Sequence, residues 1–153
     1  MMQRSLALFC PALLLLLLAV QGAAAGSSQQ EHIANFKNVA GEVTVLRHGA
    51  SLPAEMGMQL YATDTVTTGK SGSAGLLFLD GTAVAIGPAS RVDIADYRFS
   101  PQAKQYDFSL YLQRGQVLFS TGRIGKLAPE AVKLRTPTAV IGVRGTRFIV
   151  KVD

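Results

Sequence analysis

Short runs of alternating apolar and polar residues fill most of the chain and predict β-strands. The closing stretch, residues 132–152, holds two such runs, and Pro137 interrupts the first because a strand interior rarely tolerates proline. Ile141 and Val143 place the apolar positions on odd numbers, whereas the apolar positions after Gly145 are even. Such a one-residue slip would turn the core face outward. We therefore predict a β-bulge or a tight turn with positive φ at Gly145.

An Asp-Gly pair separates two apolar runs in the middle of the chain, residues 74–79 and 82–87. This pair is a strong hairpin signal, because both central residues of the tight turn need positive φ. We assign Asp80 and Gly81 to that turn. A second turn is predicted at Gly115, between two later alternating runs.

The strands number about nine or ten, with turn residues roughly every 8 to 12 positions, and this spacing predicts an all-β sandwich or barrel. Residues 26–40 are predicted to be a flexible N-terminal segment, and residues 41–153 the β domain. Polar loops are predicted at residues 96–105 and 122–129. No helix is predicted after the N-terminal leader.

Residues 1–25 have the features of a cleaved Sec-type signal peptide. Arg4 is followed by an apolar run of 15 residues, and three alanines lead to a predicted cleavage site after Ala25. An uncleaved membrane anchor is the alternative, but a spanning helix needs roughly 20 apolar residues. Cys10 lies inside the apolar run, so the mature chain would have neither a cysteine nor a transmembrane segment. A disulfide or a zinc-thiolate site is thereby excluded.

The net charge of +5 is unevenly distributed along the chain. Residues 26–100 carry a net charge of −2, whereas residues 101–153 carry nine Lys or Arg against three Asp or Glu. A basic half can contact nucleic acid, anionic lipid or an acidic protein, or it can be a solvated strand face. An exported protein rarely meets nucleic acid, and a solvated strand face is the simplest interpretation of the charge. If the basic half forms an interface, we expect an acidic envelope protein as the partner. The candidate interaction surface consists of Arg114, Arg123, Lys126, Arg144 and Arg147. Open sheet edges offer a second route, by strand addition.

No convincing catalytic, metal or cofactor site is visible in the sequence. His32 and His48 are the only histidines, and we expect both at the surface, since no clustered carboxylates supply a third ligand. Four aspartates could in principle meet as paired carboxylates: Asp80, Asp93, Asp96 and Asp107. The hairpin turn explains Asp80 better, and solvent-facing strand ends explain the others. Tyr97 and Phe99, beside the polar loop, form a weak candidate surface for a carbohydrate.

The motifs, taken together, resemble the FecR domain, the periplasmic domain of the ferric-citrate regulator family. The resemblance covers residues 41–150 and is specific as an ordered set. Its pieces are the G-x-V strand at 41–45, D-x-V-x-T-G at 64–69, D-G-T at 80–82, a second G-x-V at 115–117, T-P at 136–137 and V-R-G-T at 143–146.

The resemblance implies a non-enzymatic domain of two packed β-sheets, of jelly-roll type. The motif residues expected to be structural are Asp80, Gly81, Gly115, Pro137, Gly145 and Thr146. Classical members are membrane-spanning regulators that sense a liganded outer-membrane transporter and control a cytoplasmic sigma factor. This chain lacks their cytoplasmic domain, internal transmembrane helix and C-terminal tail, so we expect a stand-alone version, periplasmic or secreted, that binds proteins. The alternative is a binding module for envelope polysaccharide or peptidoglycan.

Overall fold

The computed structural model describes residues 30–153, which form twelve β-strands, one α-helix and one 3-10 helix. The strands are β1 Ala34–Ala40, β2 Val43–Arg47, β3 Ala50–Pro53, β4 Gln59–Leu60, β5 Thr65–Thr68, β6 Ser73–Phe78, β7 Ala83–Ile86, β8 Arg91–Ser100, β9 Gln105–Ser120, β10 Val132–Arg135, β11 Val140–Gly142 and β12 Arg147–Val152. The helices are α1 Arg123–Leu127 and the 3-10 helix Pro129–Ala131. The predicted signal peptide and residues 26–29 lie outside the described residues.

All twelve strands join into one continuous, curled sheet. The main path of neighbours is β3-β2-β5-β8-β9-β7-β6-β1-β4, while β10 and β12 pair with the other edge of β9 and β11 pairs with β10. The all-β prediction is confirmed. The division into two packed sheets is not confirmed, because β9 is hydrogen-bonded into both halves of the structure.

The turn predicted at Gly115 is wrong, because residues 105–120 form one strand, β9, which is the longest at sixteen residues and bends in the middle. Its buried apolar residues are even-numbered in the first half, at Phe108, and odd-numbered in the second, at Phe119. The slip is repaired around Gly115, which has a φ of +93°, and the pairing with β8 shifts register next to it. The bend lets one strand bury apolar side chains in both halves of the sheet.

The core inside the curl is built around aromatic rings. The ring centroids of Phe78 and Phe108 lie 4.7 Å apart, and those of Phe108 and Phe119 lie 5.4 Å apart. Tyr97 packs edge-on against Phe108, and Phe148 stacks on Phe119 at 5.1 Å. Edge-to-face contacts of this kind stabilise a core beyond the burial of area alone.

The Asp-Gly hairpin forms between β6 and β7, as predicted, but with a different turn. The amide of Gly81 donates to the carbonyl of Phe78, and the amide of Phe78 donates to the carbonyl of Thr82. The loop therefore has three residues, with a positive φ of +84° at Gly81 and none at Asp80. A three-residue loop needs positive φ only at its last position, which frees the Asp80 side chain to point inward.

A strand replaces the end of the predicted flexible segment, residues 26–40. β1 pairs with β4 and β6, and Ala34 and Phe36 are buried. The alternation that would reveal this strand is broken because the pairing shifts register between Phe36 and Asn38.

Two predicted loops also need correction. In the first, residues 96–105, β8 continues to Ser100 and β9 begins at Gln105, so only a short turn remains. In the second, residues 122–129, the five residues of α1 form a helix where a loop was expected. α1 is too short to show a helical period, and distant backbone and side-chain partners hold its start in place.

The closing stretch divides where the sequence pattern divides. β10 and β11 form a hairpin around Pro137, and Thr136 and Ala139 exchange hydrogen bonds across the turn. Gly145 has a φ of +130° and lies between β11 and β12. There the chain leaves β10 and joins the edge of β9, so a connection with positive φ, not a bulge, absorbs the slip.

We expect Gly115→Ala to lower the free energy of unfolding by about 2 to 4 kcal/mol, from left-handed strain plus overpacking. A Cβ at this position would lie 2.5 Å from the Cα of Ser90. Gly145→Ala is the matched control, since it has positive φ but no neighbour within 4 Å of a Cβ. Urea unfolding of both variants measures the difference, and equal losses would contradict the importance of the close approach at Ser90.

Candidate functional site

The side chain of Asp80 is the most densely bonded polar group in the described part of the chain. It is buried, and its two oxygens accept hydrogen bonds from the Thr82 hydroxyl at 2.7 Å and the Thr82 amide at 3.2 Å. The Ile124 amide, in α1, donates to Oδ2 at 3.1 Å, and the Tyr97 hydroxyl donates to Oδ1 at 3.2 Å. The backbone carbonyl of Asp80 also accepts from the Arg123 amide. One residue therefore connects the hairpin, β8 and the start of α1.

Tyr97, on β8, completes the hydrogen bonding around Asp80. Its hydroxyl oxygen accepts from the Asp80 amide at 3.0 Å while its proton is donated to the Asp80 carboxylate. Burial, reinforced by the nearby negative charge of Asp80, raises the pKa of Tyr97 well above its ordinary value. The phenol therefore stays protonated and acts as a hydrogen-bond donor, so it is unavailable as a base.

A second buried carboxylate, Asp64, is held by Arg47. The Arg47 guanidinium donates to both oxygens, from Nε at 2.9 Å and from Nη2 at 2.7 Å, and the Tyr61 amide donates to Oδ2. This fork geometry is the strong form of an ion pair. The hydrogen bond from Arg47 to Asp64, opposed by burial, raises the pKa of the guanidinium. Arg47 also lies over the Tyr61 ring, 4.5 Å from its centroid.

Two further motifs are joined by hydrogen bonds through Ser90. Thr68 donates to the carbonyl of Gly87, and the Ser90 amide donates to Thr68. The Gln116 amide, directly after the bend in β9, donates to the Ser90 hydroxyl at 2.9 Å. These bonds tie the D-x-V-x-T-G motif to the second G-x-V motif, so both motifs are explained by the fold.

The aspartates proposed as a carboxylate pair are kept in separate networks. Asp93 lies on β8, where it accepts from Thr65 and Gln113, whereas Asp80 bonds to the hairpin and α1. Asp96 and Asp107 are exposed. No shared site forms among them in the described part of the chain.

The two histidines line one cavity of about 690 Å³. Glu31, Arg47 and Tyr61 line the same cavity. Within residues 30–153, no three His, Cys, Asp or Glu side chains are grouped as metal ligands. Polar side chains and the ring of Tyr61 thus share the lining of this cavity.

Tyr97 and Phe99, the candidate carbohydrate surface, line one cavity of about 300 Å³, but other groups of the protein already contact both side chains. The hydroxyl of Tyr97 is used by Asp80, and its ring packs on Phe78 and Phe108. The ring of Phe99 lies under the Arg123 guanidinium, 5.1 Å away.

The five cations of the candidate interaction surface are all exposed, but they do not form one group. Arg147 pairs with Ser120 at the end of β9, just before α1, which carries Arg123 and Lys126. Arg114 lies six residues back along the same strand, about 20 Å from that end at 3.3 Å per residue. The structure therefore sets Arg114 apart from the cations at the end of β9.

Arg144 lies on the connection between β11 and β12. It lines a cavity of about 310 Å³ together with Glu130, whose negative charge faces the same space. Arg144 thus shares its cavity with an acidic residue. Arg147 instead lines an apolar groove on the outer face of the sheet.

Three long-range contacts cannot be predicted from the sequence: the Arg47–Asp64 ion pair, the Tyr97–Asp80 hydrogen bond and the close approach of Gly115 to Ser90. Each joins residues 17 or more positions apart, so no local pattern reveals it. The one indication of such contacts in the sequence is the presence of polar residues within otherwise apolar strands.

The comparison with protein-family models gave a match to the model described as FecR protein over residues 64–153, more than half of the chain. The chain belongs to the FecR family. A search of curated proteins and a search of solved structures gave no significant match. The FecR match begins at Asp64 and includes the Asp80 network and the bend in β9.

FecR membership confirms the resemblance stated from the motifs and points to a regulatory or signalling domain. FecR domains are generally associated with the cell envelope. Neither helix described within residues 30–153 has the length and apolar character needed to cross a membrane.

We expect Asp80→Asn to lower the free energy of unfolding by about 2 to 3 kcal/mol, because an amide turns its own donor toward groups that also donate. Asp107→Asn, at an exposed position of β9, is the control and should change stability little. Urea unfolding of the two variants makes the comparison. Equal stability of the two would show that the Asp80 charge is unimportant to the fold.

The raised pKa of Tyr97 predicts a loss of stability in alkaline solution. An unfolded tyrosine ionises near 10.0, whereas the folded protein keeps the Tyr97 proton at that pH. The contribution is full below pH 10 and is lost as the pH rises toward the folded pKa, because the unfolded chain then binds fewer protons. Urea midpoints between about pH 9 and about pH 11 should fall less steeply for Tyr97→Phe than for the unchanged protein. Parallel curves would refute the raised pKa.

Proposed function

We propose that the chain is a non-enzymatic FecR-family protein of the bacterial periplasm that regulates or signals through protein–protein contacts. The family match supports the regulatory class. The N-terminal sequence, with Arg4 before an apolar run and three alanines at the expected cleavage site, supports export.

One observation carries the proposal: the two aspartates of the family motifs are used inside the protein, and the candidate cations remain outside. Asp64 and Asp80 are each only 1% exposed, and protein donors occupy their oxygens. A substrate could reach neither carboxylate without opening the sheet. By contrast, Arg144 and Arg147 are exposed beside Gly145 and free to meet an acidic surface, where charge mainly sets approach rate and specificity.

A binding module for envelope polysaccharide or peptidoglycan is the second candidate. The cavity of about 690 Å³ favours it, since Tyr61 offers an aromatic wall and Arg47 lies against that ring. Aromatic rings beside polar groups are a common arrangement for an organic ligand site. Sugar binding of this kind should survive high salt, because it does not depend on exposed charge pairs.

The test is a crosslinking pull-down from envelope extract with mature protein, residues 26–153, as bait. We expect the bait to capture an envelope protein, and we expect Arg144→Glu with Arg147→Glu to lose it, because reversed charges repel an acidic partner. Lys104→Glu with Lys133→Glu is the matched control, with the same charge change at exposed positions outside the candidate surface.

Two outcomes would count against protein contact through these arginines. Equal loss with the control pair would indicate a general charge effect. Retention on insoluble cell wall at high salt, abolished by Tyr61→Ala and with no protein captured, would instead establish the binding-module alternative.

A further inference from the structure

β12 is the longest strand in the described part of the sheet that has one edge wholly open. One edge of its six residues pairs with β9, and no strand among residues 30–153 pairs with the other. The other terminal strands are shorter: β4 has two residues, β11 three, and β3 four, ending in Pro53. An open edge presents unpaired backbone groups that can accept a further strand.

The alternation of antiparallel hydrogen bonds identifies which backbone groups of β12 are open. The Thr121 amide donates to the Thr146 carbonyl, so Thr146 turns its backbone groups toward β9. Successive residues of a strand turn them to opposite sides. The amides and carbonyls of Arg147, Ile149 and Lys151 therefore point to the open edge.

The inner side chains of β12 are incompletely covered. Phe148, Val150 and Val152 pack against the core but are only half-buried. The stack on Phe119 covers the ring of Phe148 on the side toward β9. A further strand would remove the exposed apolar surface from water.

The outer side chains give the edge a charge pattern. Arg147 and Lys151 are exposed on the outer face, and Ile149, 62% exposed, stands between them. Ile149 ends an apolar cross-strand row that continues through Leu118 to Ala85. Lys151 also forms an ion pair with Asp153 at 3.0 Å, but both side chains are exposed, so solvent screens this pair. The edge thus offers an apolar position between two cations four residues apart.

We infer that the open edge of β12 binds an extended segment of a partner protein by strand addition. The segment carries two acidic residues four positions apart, with apolar residues at alternate positions between and around them. Its acids face Arg147 and Lys151, its apolar side chains cover Phe148 and Val150, and its backbone pairs with the open groups of β12. This inference rests on the proposed function and names the chemistry of the partner.

A second copy of β12 fits this edge less well than an acidic segment. In antiparallel pairing centred on Ile149, Arg147 of one copy would lie opposite Lys151 of the other. Like charges directly opposite each other destabilise a sheet. Charge complementarity therefore favours the acidic partner.

A capped synthetic heptapeptide tests the inference with purified mature protein. Its sequence is valine–glutamate–valine–threonine–valine–glutamate–valine, so that its pattern is the same in either strand direction. We expect the peptide to slow amide hydrogen exchange at Arg147, Ile149 and Lys151 by about tenfold or more near saturation. A matched peptide with lysine in place of glutamate should give no protection. Protection elsewhere, equal protection by both peptides, or none at all would overturn the inference.

Two variants separate edge pairing from loss of fold. Ile149→Pro removes one open donor without touching the bonds to β9, and Ile149→Ala removes the side chain while keeping the amide. Only the proline variant should lose the protection at the remaining edge amides. Arg147→Glu with Lys151→Glu should reverse the preference, so that the lysine peptide protects the edge and the glutamate peptide does not. A misfolded variant would bind neither peptide, and its loss of exchange protection in β9 would identify it as misfolded.

The pull-down distinguishes failure of this inference from failure of the proposed function. If the captured envelope protein still binds Ile149→Pro, the regulatory proposal stands and strand addition at β12 is wrong. If nothing is captured but the heptapeptide binds as expected, the edge is a strand acceptor and the proposed envelope partner is wrong. A concentration-dependent dimer that Ile149→Pro abolishes would replace the acidic partner with a second copy.

Discussion

The buried carboxylate of Asp80 collects donors from the β6–β7 hairpin, from Tyr97 on β8 and from the start of α1. A charge inside a protein is tolerated only when hydrogen bonds replace its lost hydration. The fold must therefore bring these three segments together whenever Asp80 is buried, and each segment depends on the other two. Family motifs centred on such a group are constrained by folding, which explains an Asp-Gly-Thr sequence without assigning it any chemistry.

The bend of β9 is the second constraint, and it acts on topology. A single strand of sixteen residues lies in both halves of the sheet because its core-facing side changes around Gly115. The close approach of this glycine to Ser90 leaves no room for a Cβ, and the Ser90 hydroxyl binds the backbone just after the bend. Asp80 holds the β6–β7 hairpin against β8 and α1, and Ser90 holds the bend of β9. Both polar residues therefore serve the geometry of the sheet.

Local sequence patterns are sufficient for some of this structure and insufficient for the rest. The hairpin at Gly81, the break at Pro137 and the positive φ at Gly145 are predictable, because each is set by a residue's own backbone preference. β1 is not predictable, since a register shift at Lys37 hides its alternation, and α1 is not, since Asp80 holds it from 44 positions away. The candidate cations could be named from composition, but their separation into Arg114 and a group at the end of β9 follows only from the pairing of β12.

The same division explains where a partner would bind. Protein donors satisfy the buried carboxylates of Asp64 and Asp80, so these groups give an incoming molecule little to bind. A strand edge, by contrast, has backbone donors and acceptors that only water satisfies in the free protein. Such an edge is hazardous unless side chains limit what can pair with it. Arg147 and Lys151 provide this limit on β12, since they repel basic segments and favour acidic ones. A selective docking strand therefore needs no pocket and no catalytic group, only an open edge and two well-placed charges.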